Sequence, residues 1–308
     1  MFSLTVIVTG AQGFIGRYVT KELCERGHEV VTVVRSGGDA SVGSTSIVAD
    51  WLDGSATERI LRHLEGRPRR DLALVHLAAV ADPEILHTRP GAGFRSNVAL
   101  TLQVLEFARR VSCRVLLAST GVLYDKSATP KTELDPVRAR SLYGALKLAS
   151  EALMQGYASE FGLTCDIVRL SNVYGSESRA LTVVGRILEC VRQGADIRVR
   201  DVRSVRDFLH VTDAASGFVA VLETHRESGC EVFNLSTGIG SSVGRVADIA
   251  ASAAGTTVHR EPAGIESASV DQLILANEKI RSTTGWAPQI TIEDGVFEGV
   301  RANMGGSE

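Results

Sequence analysis

A glycine-rich turn near the amino terminus limits the possible folds of this chain more than any other feature. The apolar run at residues 6–8 leads into Gly10, Gly13 and Gly16, and an amphipathic segment follows. Glycines at such a turn let the backbone approach a pyrophosphate, and the free N–H groups at the following helix N-terminus attract its charge. The layout predicts a strand–turn–helix unit that binds a dinucleotide.

The first two thirds of the chain alternates β-branched apolar runs with amphipathic stretches. This alternation is typical of a parallel sheet with helices on both faces. We predict strands at residues 4–8, 29–34, 46–49, 72–77, 114–118 and 164–170. Helices are predicted at about 15–26, 57–64, 94–110 and 142–161. The expected fold class is α/β with a doubly wound parallel sheet.

The pattern changes after Asn172, where no linker or low-complexity segment marks a clean boundary. Elements predicted beyond this point are helices at 183–193, 212–224 and 243–254, an extended segment at 197–205, and a strand at 232–235 that would return to the main sheet. We therefore expect two interleaved domains. Residues 1–172 with about 207–235 would bind the dinucleotide, and about 173–206 with 236–308 would form a substrate-binding lobe.

Charge and cysteine content exclude several classes of protein. The formal net charge of -3 over 308 residues gives no general attraction to nucleic acid or membrane, so an anionic substrate must meet a local basic cluster. The five cysteines are scattered and form no CxxC pair, which indicates neither a disulfide framework nor a metal site. No apolar run reaches the about 18 residues of a membrane helix, and the apolar start lacks a basic leader. We expect a cytoplasmic protein without bound metal.

Tyr143 and Lys147 form the candidate catalytic pair, because their spacing puts both on one face of a predicted helix. A neighbouring ammonium group stabilises the phenolate and lowers the tyrosine pKa from its usual value near 10. The tyrosine can then exchange a proton with a carbonyl or hydroxyl oxygen while a hydride moves to or from a nicotinamide. Thr120 and its neighbour Ser119 are both candidates for the hydroxyl that holds the reacting oxygen.

Several motifs, in sequence order, resemble the extended branch of the short-chain dehydrogenase/reductases, the NAD-dependent epimerase/dehydratase family. They are TGAQGFIG at 9–16, HLAA at 76–79, Asn97-Val98, Ser119-Thr120, YxxxK at 143–147, RLSNVYG at 169–175 and RDFLHV at 206–211. The resemblance spans roughly residues 4–300. It implies a Rossmann-like doubly wound parallel sheet with a small interleaved substrate-binding lobe.

The resemblance also assigns residues to sites. It implies that Thr120, Tyr143 and Lys147 are catalytic, and that Thr120, Asn172 and Arg206 bind the substrate. Asp50 would contact the adenine, and residues 77–79 would line the cofactor with their backbone. The full set of predicted cofactor-binding residues is Gly10, Gln12, Gly13, Phe14, Ile15, Gly16, Arg35, Asp50, Trp51, Leu77, Ala78, Ala79, Asn97, Tyr143, Lys147 and Leu170.

Arginines cluster at the predicted substrate end. Arg206 matches a family arginine that typically grips a nucleotide diphosphate, and Arg198, Arg200 and Arg203 would alternate along a strand before it, partly on one face. A bidentate arginine clamp suits a diphosphate. A solvent-exposed basic edge strand is the alternative interpretation.

The end of the second predicted strand bears on the choice of nicotinamide cofactor. An acidic residue there would hold the ribose 2′-hydroxyl of NAD. The strand instead ends in Arg35, and the first carboxylate after it is Asp39. An arginine can pair with the 2′-phosphate of NADP, and Arg17 could assist. We therefore predict NADP(H) in preference to NAD(H).

The leading hypothesis is a nucleotide-diphosphate-sugar 4-keto reductase that uses NADPH, and the main alternative is an NAD-dependent nucleotide-sugar epimerase. A reductase of a non-nucleotide carbonyl and a non-catalytic dinucleotide sensor are further alternatives, although such sensors commonly lose the tyrosine or lysine kept here. Dehydratases of the family carry Asp-Glu directly after the catalytic threonine, where this chain has Gly121-Val122, so 4,6-dehydration is not expected.

A homodimer is expected from the predicted helices at 94–110 and 142–161, which resemble those of the family's dimer contact. These helices carry apolar residues beyond a single buried stripe, namely Val98, Leu102, Leu105, Leu146, Ala149 and Leu153.

Overall fold

A computed structural model of the chain describes residues 3–35, 43–66, 71–178, 180–261 and 271–304. The chain divides into two compact units, each formed by several segments. The first unit comprises residues 1–123, 138–169 and 218–233, and the second comprises 124–137, 170–217 and 234–308. Residues 124–137 and 207–217 thus belong to the second unit, whereas the predicted domains assigned them to the dinucleotide-binding part.

Strands and helices alternate along most of the chain. The strands are β1 (Thr5–Thr9), β2 (Glu29–Val34), β3 (Ser44–Val48), β4 (Leu72–His76), β5 (Arg114–Thr120), β6 (Thr164–Leu170), β7 (Asn172–Tyr174), β8 (Ile197–Val199), β9 (Val205–His210), β10 (Gly229–Leu235), β11 (Gly240–Ser242), β12 (Val258–Arg260) and β13 (Gln272–Leu273). The helices are α1 (Phe14–Glu25), α2 (Ser55–His63), α3 (Pro83–Thr88), α4 (Pro90–Phe94), α5 (Leu100–Val111), α6 (Leu142–Phe161), α7 (Val183–Arg192), α8 (Val211–Glu223), α9 (Val243–Ala254), α10 (Glu278–Thr284) and α11 (Ile292–Met304).

Seven strands form the main sheet, in the order β10-β6-β5-β4-β1-β2-β3. β1 pairs in parallel with both β2 and β4. Ile7 packs into a core cluster with residues of α2, α5 and α6, whereas its neighbours Val6 and Val8 are equally buried but lie outside that cluster. Strands buried on both faces are characteristic of a doubly wound parallel sheet, so the predicted fold class is confirmed.

Helix α6, which carries the candidate catalytic pair, begins and ends at the predicted residues. The hydroxyl of Ser141 accepts a hydrogen bond from the Gly144 N–H at 3.1 Å and so caps the first turn. Gly162 follows the last turn with φ +66°, a left-handed conformation that favours glycine and ends the helix.

The single helix predicted at 94–110 is wrong in its first turns. Helix α4 ends at Phe94, and a π-helical turn, Arg95–Ala99, comes before α5. The turn places Asn97 in the interior, where its side chain hydrogen-bonds to neighbouring backbone groups. In a regular α-helix this side chain would point in a different direction.

The second unit has its own sheets and core. β9 pairs with β7, β11 and β13, and β8 pairs with β12. Leu188, Val246 and Val300, from α7, α9 and α11, are buried in one cluster. The extended segment predicted at 197–205 is two strands, because Asp201 adopts a φ of 49° that interrupts extended backbone. No helix in the part of the chain that the structure describes is long and apolar enough to cross a membrane.

Candidate active site

The glycine turn packs directly against the backbone that follows β4. Gly10 has φ +75°, and a Cβ there would lie 2.6 Å from the Ala78 nitrogen. A Cβ on Gly16 would collide with the Gly10 carbonyl. Among the described residues, no side chain caps α1 at Gly13, so the first N–H groups of the helix can meet an anion. The turn fits the pyrophosphate of a dinucleotide.

Asp50 and Trp51, which follow β3, differ in what they can offer a cofactor. Oδ1 of Asp50 accepts a hydrogen bond from the Leu52 N–H at 2.9 Å, and the side chain is half-buried. The Trp51 ring is 4% exposed and packs edge-on against Phe107, with ring centroids 5.5 Å apart. Because the Trp51 ring belongs to the hydrophobic core, only its backbone can contact a cofactor.

The other predicted cofactor residues differ in their exposure. Gln12 and Ala79 are exposed, whereas Phe14, Ile15, Leu77 and Ala78 are half-buried. Arg35 is exposed directly after β2, and Asp39 lies outside the described residues. Leu170 is buried at the end of β6 and belongs to the second unit.

Asn97 is buried in the π-helical turn. Its Nδ2 donates hydrogen bonds to the carbonyl oxygens of Val80 at 3.1 Å and Gly93 at 2.8 Å. Its own carbonyl accepts from the hydroxyls of Thr101 at 2.5 Å and Ser150 at 3.2 Å. Oδ1 has no hydrogen-bond partner among the described residues. A buried acceptor without a partner is unfavourable, so Oδ1 is suited to accept a hydrogen bond from a bound dinucleotide.

His76 connects the strand before the glycine turn to α5. Its Nδ1 lies 2.7 Å from Oγ1 of Thr9, and its Nε2 lies 3.1 Å from Oγ1 of Thr101. Because Thr101 donates its proton to the Asn97 carbonyl, we assign Nε2–H of His76 as the donor and Nδ1 as the acceptor. Burial lowers the pKa of His76 to about 3, and the charge of Lys147 acts in the same direction. The ring is therefore neutral.

Thr120 and Tyr143 share a side-chain hydrogen bond. Thr120 is the last residue of β5, and its hydroxyl also accepts from the Val122 N–H at 3.3 Å. Burial raises the pKa of Tyr143, and the bond to Thr120 partly opposes this. The lowering of the Tyr143 pKa expected from Lys147 is therefore not found in the chain alone, where burial raises this pKa and the bond to Thr120 is what opposes the rise.

Lys147 lies one turn further along α6 and is 5% exposed. Its Nζ donates a hydrogen bond to the carbonyl oxygen of Ala118 at 2.8 Å. Burial lowers the pKa of Lys147 to about 8, while the carboxylate of Glu151 opposes that change. The ammonium group is thus held beside the end of β5.

Ser119 is committed to a different partner, which leaves Thr120 as the hydroxyl beside Tyr143. Oγ of Ser119 donates a hydrogen bond to Oε1 of Glu151 at 2.5 Å. Glu151 also binds Arg169, with Nε 3.1 Å from Oε1 and Nη2 2.7 Å from Oε2. This buried pair was not predicted from the sequence, although Glu151 continues the spacing of Tyr143 and Lys147 along one helix face.

Asn172 and Arg206 lie in the second unit. Asn172 is exposed at the start of β7. Arg206 forms an ion pair with Asp271, with Nη2 2.7 Å from Oδ1, and its Nη1 donates to the Asp271 carbonyl at 2.8 Å. The prediction that these arginines share one strand is wrong. Arg198 lies in β8 and Arg200 follows it, whereas Arg206 lies in β9.

A glycine turn that fits a dinucleotide, followed by a Thr–Tyr–Lys arrangement, defines an extended short-chain dehydrogenase/reductase. The chain belongs to the NAD dependent epimerase/dehydratase family, whose model matches residues 6–236. It is an enzyme, and the family acts on nucleotide sugars.

Similar proteins match over nearly the whole chain. A UDP-glucose 4-epimerase of Corynebacterium glutamicum is 26% identical, over 94% of this chain and 92% of that protein. The structure of the Thermus thermophilus UDP-glucose 4-epimerase in complex with NAD has a TM-score of 0.84 at 27% identity, covering 98% of this chain and 100% of that one. The Thermotoga maritima UDP-glucose 4-epimerase with UDP-glucose has a TM-score of 0.84 at 26% identity, covering 97% and 98%.

Proposed function

We propose that this protein is an NAD-dependent epimerase that inverts C4 of a UDP-sugar, with UDP-glucose and UDP-galactose as the first pair to test. The observation that carries the proposal is the hydrogen-bonded pair of hydroxyls, Thr120 and Tyr143, in a site with no carboxylate directly after the threonine. The names of the similar proteins, which match this chain over nearly its whole length, support a UDP-sugar as substrate.

The chain's own residues supply the proton chemistry. Tyr143 acts in its deprotonated form, which the charge of Lys147 stabilises, and takes the proton of the sugar 4-hydroxyl. Thr120 holds the same oxygen by a hydrogen bond. A nicotinamide held beside these residues would supply reversible hydride transfer at C4. Tyr143 returns its proton to the 4-oxygen after the sugar ketone has turned its other face to the cofactor. Both hydrogens come back, so no cofactor is consumed.

The residues that would hold the cofactor lie along the carboxyl ends of the first-unit strands. The glycine turn at 10–16 would meet the pyrophosphate, Asp50 the adenine, and the backbone of 77–79 the face of the dinucleotide. Oδ1 of Asn97 offers an acceptor for one of its donors. These groups fit either nicotinamide dinucleotide.

The epimerase has more support than the NADPH-dependent reductase that Arg35 led us to predict. Arg35 is exposed, and an exposed arginine by itself does not make a binding site for the 2′-phosphate of NADP. The similar Thermus thermophilus structure is a complex with NAD. An enzyme that returns its hydride to the substrate needs no external reductant, so its reaction does not require NADPH.

Dehydration of the sugar has no support in this site. The residues after Thr120 form a 3-10 turn, Gly121–Leu123, whose Val122 side chain is 42% exposed. Expelling water from a sugar requires an acid and a base beside the reacting carbons. An apolar side chain at this position supplies neither, so epimerisation is the simpler outcome of the same hydride transfer.

We also propose that the enzyme is a homodimer. Apolar side chains are exposed on or beside α5 and α6, namely Phe94, Leu102, Leu142 and Phe161, with exposures of 52%, 37%, 43% and 49%. Exposed apolar surface of this kind favours a protein contact. Two of the residues predicted for the contact, Leu105 and Leu146, are buried within the chain and are not available for it.

The state of the cysteines supports a reducing cytoplasm as the location. All five cysteines are free. Burial raises the pKa of Cys113 and of Cys165 to about 12, so both thiols are protonated and unreactive.

The proposal is tested by incubating the purified protein with UDP-galactose and a catalytic amount of NAD, and by separating the products by chromatography. We expect UDP-glucose to accumulate to equilibrium without net formation of NADH. A panel with UDP-glucuronic acid and a 4-keto-sugar nucleotide plus NADPH runs in parallel. Turnover of the keto-sugar alone would instead establish the reductase.

A further inference from the structure

Glu151 links the catalytic helix α6 to the two strands beside it. The side chain is 1% exposed. Oε1 accepts from Oγ of Ser119 at 2.5 Å and from Nε of Arg169 at 3.1 Å, and Oε2 accepts from Nη2 of Arg169 at 2.7 Å. Ser119 lies on β5 and Arg169 on β6. A bidentate arginine holds a carboxylate in one geometry, so Glu151 is a fixed group.

Ser119 lies between two residues that touch the catalytic side chains. Ala118, before it, accepts the hydrogen bond of Lys147 through its carbonyl oxygen at 2.8 Å. Thr120, after it, bonds to Tyr143. A contact that fixes Ser119 therefore restrains the short piece of β5 on which both of these interactions depend.

Lys147 is a buried cation whose surroundings otherwise disfavour its charge. The titratable groups that interact with it, among the described residues, are Glu151 on α6 and His76 on β4, and the histidine is neutral at pH 7. Tyr143 lies one helical turn before it, and burial raises the pKa of that tyrosine. Burial lowers the pKa of Lys147 to about 8, and the carboxylate one helical turn away opposes this effect. Without that carboxylate, the amine would lose its proton closer to neutral pH.

We propose that Glu151 is a positioning residue for proton transfer in the active site. Its charge keeps Lys147 protonated. Its hydrogen bond to Ser119 holds Thr120 opposite Tyr143. The second role rests on the proposed epimerase function, whereas the ionisation of Lys147 can be measured in the free protein whatever the substrate is.

Two single substitutions separate the two roles. Glu151→Gln keeps an acceptor for the Ser119 hydroxyl and removes the charge, whereas Ser119→Ala removes the bond and keeps the charge. Carbon-13 NMR of protein labelled at lysine reports the ionisation of Lys147 directly. The spectrum is simple, because the lysines of the chain are Lys21, Lys126, Lys131, Lys147 and Lys279. A Lys147→Arg variant assigns the signal.

In Glu151→Gln we expect the midpoint of the Lys147 titration to fall by about one pH unit or more, and the alkaline limb of turnover to fall with it. In Ser119→Ala the midpoint stays in place, while kcat falls and KM changes little. An unchanged midpoint in Glu151→Gln overturns the charge role. An unchanged kcat in Ser119→Ala overturns the positioning role.

Removing one partner of a buried ion pair can prevent folding, so a second variant is needed. Glu151→Gln combined with Arg169→Gln removes both charges together. The same downward change in the Lys147 midpoint is expected there, because Glu151 is the charged group that acts on the lysine. A parent-like midpoint in the double variant overturns the charge role as well.

Failure of the parent to convert UDP-galactose would count against the proposed function. The NMR titration of Lys147 would still test the charge role, because it needs no substrate.

Discussion

Thr120 and Tyr143 hydrogen-bond to each other through their side chains, one at the last residue of β5 and the other in the first turn of α6. This contact pairs two hydroxyls at the carboxyl end of β5, a strand of the same parallel sheet as β1, which leads into the glycine turn. The neighbouring hydroxyl, Ser119, is turned away to Glu151. The proton chemistry of the enzyme therefore depends on a single tyrosine.

Replacing that tyrosine should stop turnover. Tyr143→Phe keeps the ring and removes the transferable proton, so kcat should fall by at least about 100-fold. Binding of NADH, followed by fluorescence, should be nearly unchanged. Tyr157→Phe is the matched control, since Tyr157 lies further along α6 and its hydroxyl bonds to Glu106 on α5. If both variants keep parent-like turnover, Tyr143 is not the proton-transfer group.

The abnormal pKa of His76 should make the free energy of unfolding depend on pH below neutrality. The folded-state pKa of about 3 lies below the ordinary value of 6.5, so the unfolded chain binds more protons between these values. The contribution of His76 to stability is complete above pH 6.5 and is lost as the pH falls toward 3. The slope reaches about 1.4 kcal/mol per pH unit.

His76→Gln tests this prediction. The variant should be less stable than the parent at neutral pH, because its hydrogen bonds to Thr9 and Thr101 are altered. Its melting temperature should then decline less steeply between pH 6 and pH 4, a range chosen within the titration window. Parallel curves for parent and variant would mean that His76 does not titrate abnormally.

Cofactor preference should not depend on Arg35. We expect the parent to bind NADH at least as tightly as NADPH, and Arg35→Ala to leave the Kd for NADH nearly unchanged. Lys21→Ala, an exposed charge removal on α1, is the control. A 2′-phosphate site would give a different result: the parent would prefer NADPH, and Arg35→Ala would weaken NADPH binding by roughly tenfold or more.

The proposed homodimer should depend on the exposed apolar residues of α5 and α6. Sedimentation of the parent should show a dimer, and Leu102→Asp should shift it toward monomer, since a charge in an apolar contact is costly. Leu134→Asp is the control, because Leu134 is 95% exposed and lies in the other unit. A parent that sediments as a monomer, or equal effects of the two variants, would contradict this assignment.

The sequence predicted the bounds of helices whose ends are set by capping residues. α6 and α9 match their predicted bounds because Ser141 and Ser242 cap their first turns and Gly162 and Gly255 end them in left-handed conformations. The strand break at Asp201 was missed, because a positive φ at a non-glycine residue leaves little trace in the sequence.

Motif spacing predicted part of the candidate site. The features that depend on tertiary contacts were missed. Tyr143 and Lys147 were predicted from their spacing on one helix face, whereas Thr120, with Ser119 as the alternative, was predicted from the family resemblance. The π-helical turn at Asn97 and the buried pair of Glu151 and Arg169 depend on groups that come together only in the folded sheet. No periodicity in the sequence distinguishes such buried charges from solvated ones.

The most direct test of the account follows the hydrogen at C4. UDP-galactose deuterated at C4 is incubated with the enzyme and catalytic NAD in ordinary water, and the UDP-glucose formed is analysed by NMR and mass spectrometry. In the proposed mechanism the hydride returns to the carbon that it left, so we predict that the product keeps its deuterium at C4. Loss of the label to solvent, or conversion that requires a stoichiometric amount of NADPH, would contradict the account.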